Sequence, residues 1–227
     1  MLSGLVLSLP FLRIQLGLLS FVSLIPFLYY LVWLERKKTT PKKTIKYIWL
    51  AGMVFLAITL SWMFQLHVID LIADPWTRGI FLPLTLFLMV LFFSSGFLLF
   101  GVLYIKLKVS LSNKSSIVLL PAIWVLGEYL RSILFSIGML GEGGTVGIHW
   151  NFGALGLGAS MTPLIYASRL VGLFGLSFLV VVINIAIFQL IRRKYVALSA
   201  ISIFTCVIIS CMGYLIYHKG SNSTEKV

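Results

Sequence analysis

Residues 80–104 read Ile80-Phe-Leu-Pro-Leu-Thr-Leu-Phe-Leu-Met-Val-Leu-Phe-Phe-Ser-Ser-Gly-Phe-Leu-Leu-Phe-Gly-Val-Leu-Tyr104, without one Asp, Glu, Lys, Arg or His. About 20 apolar residues are enough for a helix to cross the hydrocarbon core. Lipid offers the backbone no hydrogen-bond partners, so such a run must be helical. Lys106 and Lys108 follow at once, where the chain would re-enter water. The same alternation recurs on both sides of this stretch. Further apolar runs lie at Leu16–Leu34, Tyr47–Leu66, Ile117–Met139, Val171–Ile191 and Tyr195–Tyr217. Together they predict an all-α, polytopic transmembrane bundle of about six full spans. Met1–Phe11 is apolar but too short to span, and Pro10 and Arg13 end it. It lacks a basic start and a small-residue cleavage site, so it reads as a half-helix rather than a signal peptide.

The composition agrees. Of 227 residues 60% are hydrophobic and 11% charged, and the mean hydropathy is +1.06. A water-soluble domain needs more charge to cover its surface. The expected organisation is one membrane domain, 1–217, and a polar tail, 218–227, without order of its own.

The net charge of +12 does not point to nucleic acid, because the cations are clustered. They fall at Arg36–Lys46, at Lys106–Lys114 and at Arg192–Lys194, in alternate loops, so all three clusters can face one side. The positive-inside rule makes that side cytoplasmic. The chain is then a multi-pass membrane protein with its C-terminal tail on the extracytoplasmic side. The opposite loops hold Asp70, Asp74 and Glu142.

Three places carry residues capable of chemistry. The first is Trp124-Val-Leu-Gly-Glu128-Tyr-Leu-Arg131, with two charges inside an apolar run. A charge near the bilayer centre costs about 2.5–3.5 kcal/mol on insertion scales, so it must face the protein interior and find a partner. The spacing puts Trp124, Glu128 and Arg131 on one helix face. They serve either as a polar anchor for a lipid head group or a docked domain, or as a structural ion pair. The second is the glycine-rich stretch Leu140–Pro163, with His149, Trp150 and Asn151 in it. Irregular backbone at membrane depth survives only inside protein or beside a wet cavity. His149 has no nucleophile paired with it, which leaves backbone hydrogen bonding as its simpler role. The third is Trp62, His67, Asp70 and Asp74, whose spacing is a weak metal-ligand pattern that solvation also explains. No metal, cofactor or catalytic residue is assigned. The chain has no Walker loop, Gly-x-Ser-x-Gly elbow or His-Glu-x-x-His helix. Cys206 and Cys211 lie in the last apolar run and read as packing residues.

Several stretches in order resemble one family. Leu7-Ser-Leu-Pro-Phe with Leu18-Leu-Ser-Phe-Val-Ser-Leu-Ile-Pro-Phe-Leu, and Leu60-Ser-Trp-Met-Phe-Gln-Leu-His67, are similar to the opening of bacterial apolipoprotein N-acyltransferases. Pro121-Ala-Ile-Trp124 through Arg131, Trp150-Asn151, and Pro163 through Leu179 to Asn184 resemble its following helix, loop and helix. The departures are His149, where the family usually has proline, and a longer gap between Arg131 and Trp150.

The resemblance implies an acyltransferase of lipoprotein biosynthesis, acting on membrane phospholipid and a diacylglyceryl lipoprotein. It also implies that the glutamate, lysine and cysteine that do the chemistry sit in a nitrilase-like domain, which these 227 residues do not contain. The chain is therefore expected to bind lipid and lipoprotein and to be inactive until such a domain is supplied. Trp124, Glu128, Arg131, His149, Trp150 and Asn151 would shape the binding site. The competing reading is a small multi-pass transporter or membrane scaffold. Inverted repeats would favour it, and none is evident between the halves.

Overall fold

The computed structural model describes residues 2–62, 75–138, 147–148 and 151–224. Among them the chain is helical, with no strand. The helices are α1 (Leu2–Leu12), α2 (Ile25–Arg36), α3 (Pro41–Thr59), α4 (Pro75–Phe93), α5 (Ser95–Lys106), α6 (Ser116–Gly138), the short α7 (Leu155–Gly158), α8 (Ser168–Ile191) and α9 (Val196–Thr224). Two 3-10 segments, Ile14–Phe21 and Pro163–Ala167, precede α2 and α8. The expected all-α polytopic bundle is the observed one, and the chain is a multi-pass membrane protein.

Five described segments are long and apolar enough to cross a membrane: Gln15–Arg36, Gly79–Lys106, Ser116–Gly138, Pro163–Ile191 and Val196–His218. The span expected at Tyr47–Leu66 is represented by α3, which starts earlier, at Pro41. Proline at the first helical position costs no hydrogen bond, because that N–H is an orphan anyway. The helix thereby takes Lys42, Lys43 and Lys46 into its first turns. Residues 63–66 lie outside the described residues. The half-helix expected at the N-terminus is α1. Its 11 residues reach about 16 Å, half a bilayer, and its Phe11 meets Phe55 of α3 edge-on at 5.4 Å. The tail expected to begin at His218 instead continues α9 as helix to Thr224.

Helix α5 bridges α3 and α6, α8 packs on both α6 and α9, and α1 lies against α3. Only 17% of the apolar stretch within Val196–His218 is buried, which makes α9 a peripheral helix with a broad lipid-facing side. The first span is broken at Val22–Leu24, and Asn184 of α8 repairs the break. Its Oδ1 accepts the Leu24 N–H at 3.0 Å, and its Nδ2 donates to the Ser20 carbonyl at 2.7 Å. In lipid those backbone groups have no other partner. The break between α4 and α5 is held similarly: Trp49 Nε1 donates to Ser94 Oγ at 2.7 Å.

The three basic clusters meet at one end of the bundle. The Tyr104 hydroxyl donates to Glu35, linking the first cluster to the second. Gln189 Nε2 donates to the Leu111 carbonyl at 2.8 Å, and the Lys114 ammonium lies over the Tyr195 ring at 5.9 Å, linking the second to the third. Twelve of the eighteen Lys and Arg residues, against Glu35 alone of the acids, belong to these clusters. The charge polarity read from the loops is thus a property of the folded bundle.

Candidate functional site

Helix α6 carries the site. Trp124, Glu128 and Arg131 share one face, as their spacing requires, and all three are buried, with Glu128 5% and Arg131 3% exposed. Small residues make room for them. A Cβ on Gly127 would stand 3.0 Å from the Gly96 carbonyl oxygen of α5, and one on Gly96 would stand 3.1 Å from that of Gly127. The two helices therefore cross with backbones in near contact, which seals the polar face of α6 from lipid.

The two charges bind backbone. Glu128 Oε1 accepts the Trp124 indole N–H at 2.8 Å and the Leu155 N–H at 2.9 Å. Arg131 Nη2 donates to the Phe152 carbonyl at 2.8 Å, and its guanidinium lies 5.6 Å from the centre of the Phe93 ring. Glu128 and Arg131 also attract each other through space. The pair thus staples segment 152–155 to α6, and each charge finds the partner that burial in lipid demands. On the far side of that segment the Gly156 N–H donates to Ser177 Oγ of α8 at 2.9 Å. The segment is held between α6 and α8.

Within the buried pair, Glu128 Oε2 and Arg131 Nε have no hydrogen-bond partner among the described residues. A cavity of about 10 Å³ beside them is lined by Gly96, Trp124, Glu128, Arg131 and Gly153, among others. That is the lower limit for one water molecule.

Aromatic rings extend the site outward. Phe93 stacks on Phe135 at 4.7 Å and meets Phe152 edge-on at 5.9 Å. Phe92 packs on Phe135 at 5.4 Å. Trp62, after α3, comes within 6.1 Å of Phe152. Phe92 and Phe135 also line an apolar groove of about 560 Å³ between α4 and α6, with Leu88, Met89 and Leu91. The groove therefore borders the ring cluster on which Arg131 rests.

Of the residues singled out in the sequence, Trp124, Glu128 and Arg131 come together as expected. Asn151 lies at the start of the stapled segment, and its Nδ2 donates to the Ile148 carbonyl at 2.7 Å. His149 and Trp150 lie outside the described residues, as do His67, Asp70 and Asp74. Among the described residues no group of His, Cys, Asp or Glu could hold a metal ion. Sequence reasoning missed Phe93, Phe135 and Phe152, which in the sequence are ordinary members of apolar runs. Their role depends on where Arg131 points.

The profile of the apolipoprotein N-acyltransferase N-terminal domain family matches residues 3–186. The chain is similar to the apolipoprotein N-acyltransferase of Coxiella burnetii (strain RSA 493 / Nine Mile phase I), with 29% identity over 195 residues. That match covers 86% of this chain and 36% of the relative, so the chain spans about a third of its length. No solved structure gives a significant match.

Proposed function

Because the chain belongs to the apolipoprotein N-acyltransferase N-terminal domain family, we propose that it is the membrane platform of an N-acylation reaction in lipoprotein maturation. It takes up the acyl chains of phospholipid and of a diacylglyceryl lipoprotein from the bilayer. It presents them to a nitrilase-like domain at the end of the bundle opposite the basic loops. The platform performs no bond-making itself. The basic end faces the cytoplasm of a bacterial inner membrane, and Trp62, Asn151 and the C-terminal end of α9 face outside, in line with the positive-inside rule.

The observation that carries this reading is the apolar groove between α4 and α6, bordering the segment that Glu128 and Arg131 hold. Its walls suit acyl chains, and it ends at Phe92 and Phe135, against which Phe93 and the Arg131 guanidinium pack. Arg131 and Glu128 serve as positioning residues in this account. They fix the backbone of 152–155, next to Asn151.

Reconstitution tests it. N-acylation of a diacylated lipopeptide is measured for the chain alone, for a nitrilase-like domain alone, and for the two in one proteoliposome. Product is expected only from the combination. Activity from the chain alone contradicts the assignment of a non-catalytic platform. Absence of both activity and lipopeptide binding with every such domain refutes the platform itself.

A further inference from the structure

A second cleft, of about 500 Å³, opens between α1, α2 and the end of α8. Its wall is aromatic and apolar. Tyr30 stacks on Trp33 at 5.9 Å, and Tyr29 meets Phe188 edge-on at 4.9 Å. Its rim is cationic, with Arg36 from the end of α2 and Arg192 just after α8 both lining it. The Arg192 guanidinium lies over the Phe188 ring at 5.2 Å, and its Nη1 is buried without a hydrogen-bond partner among the described residues. Among the described residues no acidic side chain lines the cleft. Glu35, next to Arg36 in the chain, is occupied elsewhere by the hydroxyls of Tyr104 and Ser110. The positive charge at the rim is therefore uncompensated.

An amphiphile with an anionic head fits that arrangement. Arginine presents a planar fork of donors that matches phosphate. Tyrosine and tryptophan favour the head-group level of a bilayer. Basic pockets between membrane helices are characteristic seats of anionic lipid head groups. We propose that this cleft binds one anionic glycerophospholipid, its phosphate between Arg36 and Arg192 and its chains along Tyr29 and Val32, in the leaflet on the basic side. The site is separate from the one on α6. Arg192 lies fifteen residues beyond Ser177 on α8, about 22 Å along the helix. Lipid here acts as a bound cofactor of the bundle rather than as acyl donor.

Native mass spectrometry of the purified chain in detergent provides the test, with phosphatidylglycerol as probe, phosphatidylcholine as the zwitterionic control and inorganic phosphate as competitor. One phosphatidylglycerol is expected to bind in preference to phosphatidylcholine. Arg36→Gln and Arg192→Gln are each expected to weaken it about fivefold. Lys42→Gln, on the basic end but outside the cleft, is expected to leave it unchanged. Melting temperatures in lipid-free detergent check that the variants fold. Equal weakening by Lys42→Gln would show only diffuse surface charge and overturn the proposal. So would equal binding of the two lipids, full displacement by inorganic phosphate at millimolar concentration, or a dimer in which a second copy fills the cleft. These outcomes leave the acylation reading untouched, since they concern the other end of α8.

Discussion

Replacing Glu128 by leucine should destabilise the bundle severely, and replacing it by glutamine should do so less. The Glu128 carboxylate accepts two buried donors, Trp124 Nε1–H at 2.8 Å and Leu155 N–H at 2.9 Å, through the same oxygen. Leucine fills the volume and accepts neither. Each orphaned buried donor costs about 1–3 kcal/mol, so the two together cost about 2–6 kcal/mol. Arg131, 3% exposed, loses its counter-charge in the leucine and glutamine variants alike, a cost the two share. Glutamine keeps a carbonyl oxygen able to accept both N–H groups. Charge-assisted hydrogen bonds are about twice as strong as neutral ones, which leaves a hydrogen-bond loss of about 1–2 kcal/mol in place of about 2–6 kcal/mol for leucine, on top of the shared charge cost. Unfolding free energies of the three proteins, measured in one detergent or bilayer system, should therefore rank wild type, Glu128→Gln, Glu128→Leu. Amide exchange at Leu155 should rise sharply in the leucine variant alone. Equal losses in both variants would mean that charge rather than hydrogen bonding anchors the segment. A leucine variant as stable as wild type would refute the staple altogether.

Other positions test other parts of the account. Gly127→Ala places a methyl group about where the Gly96 carbonyl oxygen leaves 3.0 Å, so α5 and α6 must part; an unfolding assay should show a loss of about 1–3 kcal/mol. Gly172 has φ 66° and ψ −173° inside α8, with open space around it. Gly172→Ala should therefore cost about 1–3 kcal/mol from backbone strain alone, and no compensating small-residue change nearby should recover it. Asn184→Leu removes the partners of Leu24 N and Ser20 O; hydrogen exchange at Leu24 should accelerate and stability should fall by about 2–5 kcal/mol. In the combined acylation assay, Arg131→Gln should lower activity more than Arg169→Gln does, because Arg169 packs on Tyr217 at the surface and holds no loop.

Charge and length make the architecture legible in the sequence itself. Runs such as Ile80–Tyr104 admit one backbone solution in lipid, and the lysines and arginines mark the turns between runs. The basic end was legible for the same reason. Glu128 and Arg131 were legible as a site because charges in apolar helices are costly, but their partners were not. Those partners are backbone groups of Leu155 and Phe152, more than twenty residues away, and no side-chain pattern records where a backbone group will lie. The break at Val22–Leu24 was hidden likewise. Its sequence carries no proline or glycine to mark it, and the residue that makes it tolerable is Asn184, in another helix. The early start of α3 did have a local sign, Pro41 at the first helical position. The lysines after it outweighed that sign, because hydropathy scores the side chain and not the helix that carries it.

Lipid photocrosslinking tests the platform most directly. A phospholipid with a photoreactive acyl chain is incorporated into proteoliposomes with the chain, and adducts are mapped by mass spectrometry. Adducts should concentrate on Leu88, Phe92 and Phe135 in the groove between α4 and α6, and should fall in Arg131→Gln, which releases the segment beside it. An even distribution, with the exposed α9 positions Phe204, Ile208 and Met212 labelled as heavily as the groove, would contradict a built acyl-chain site.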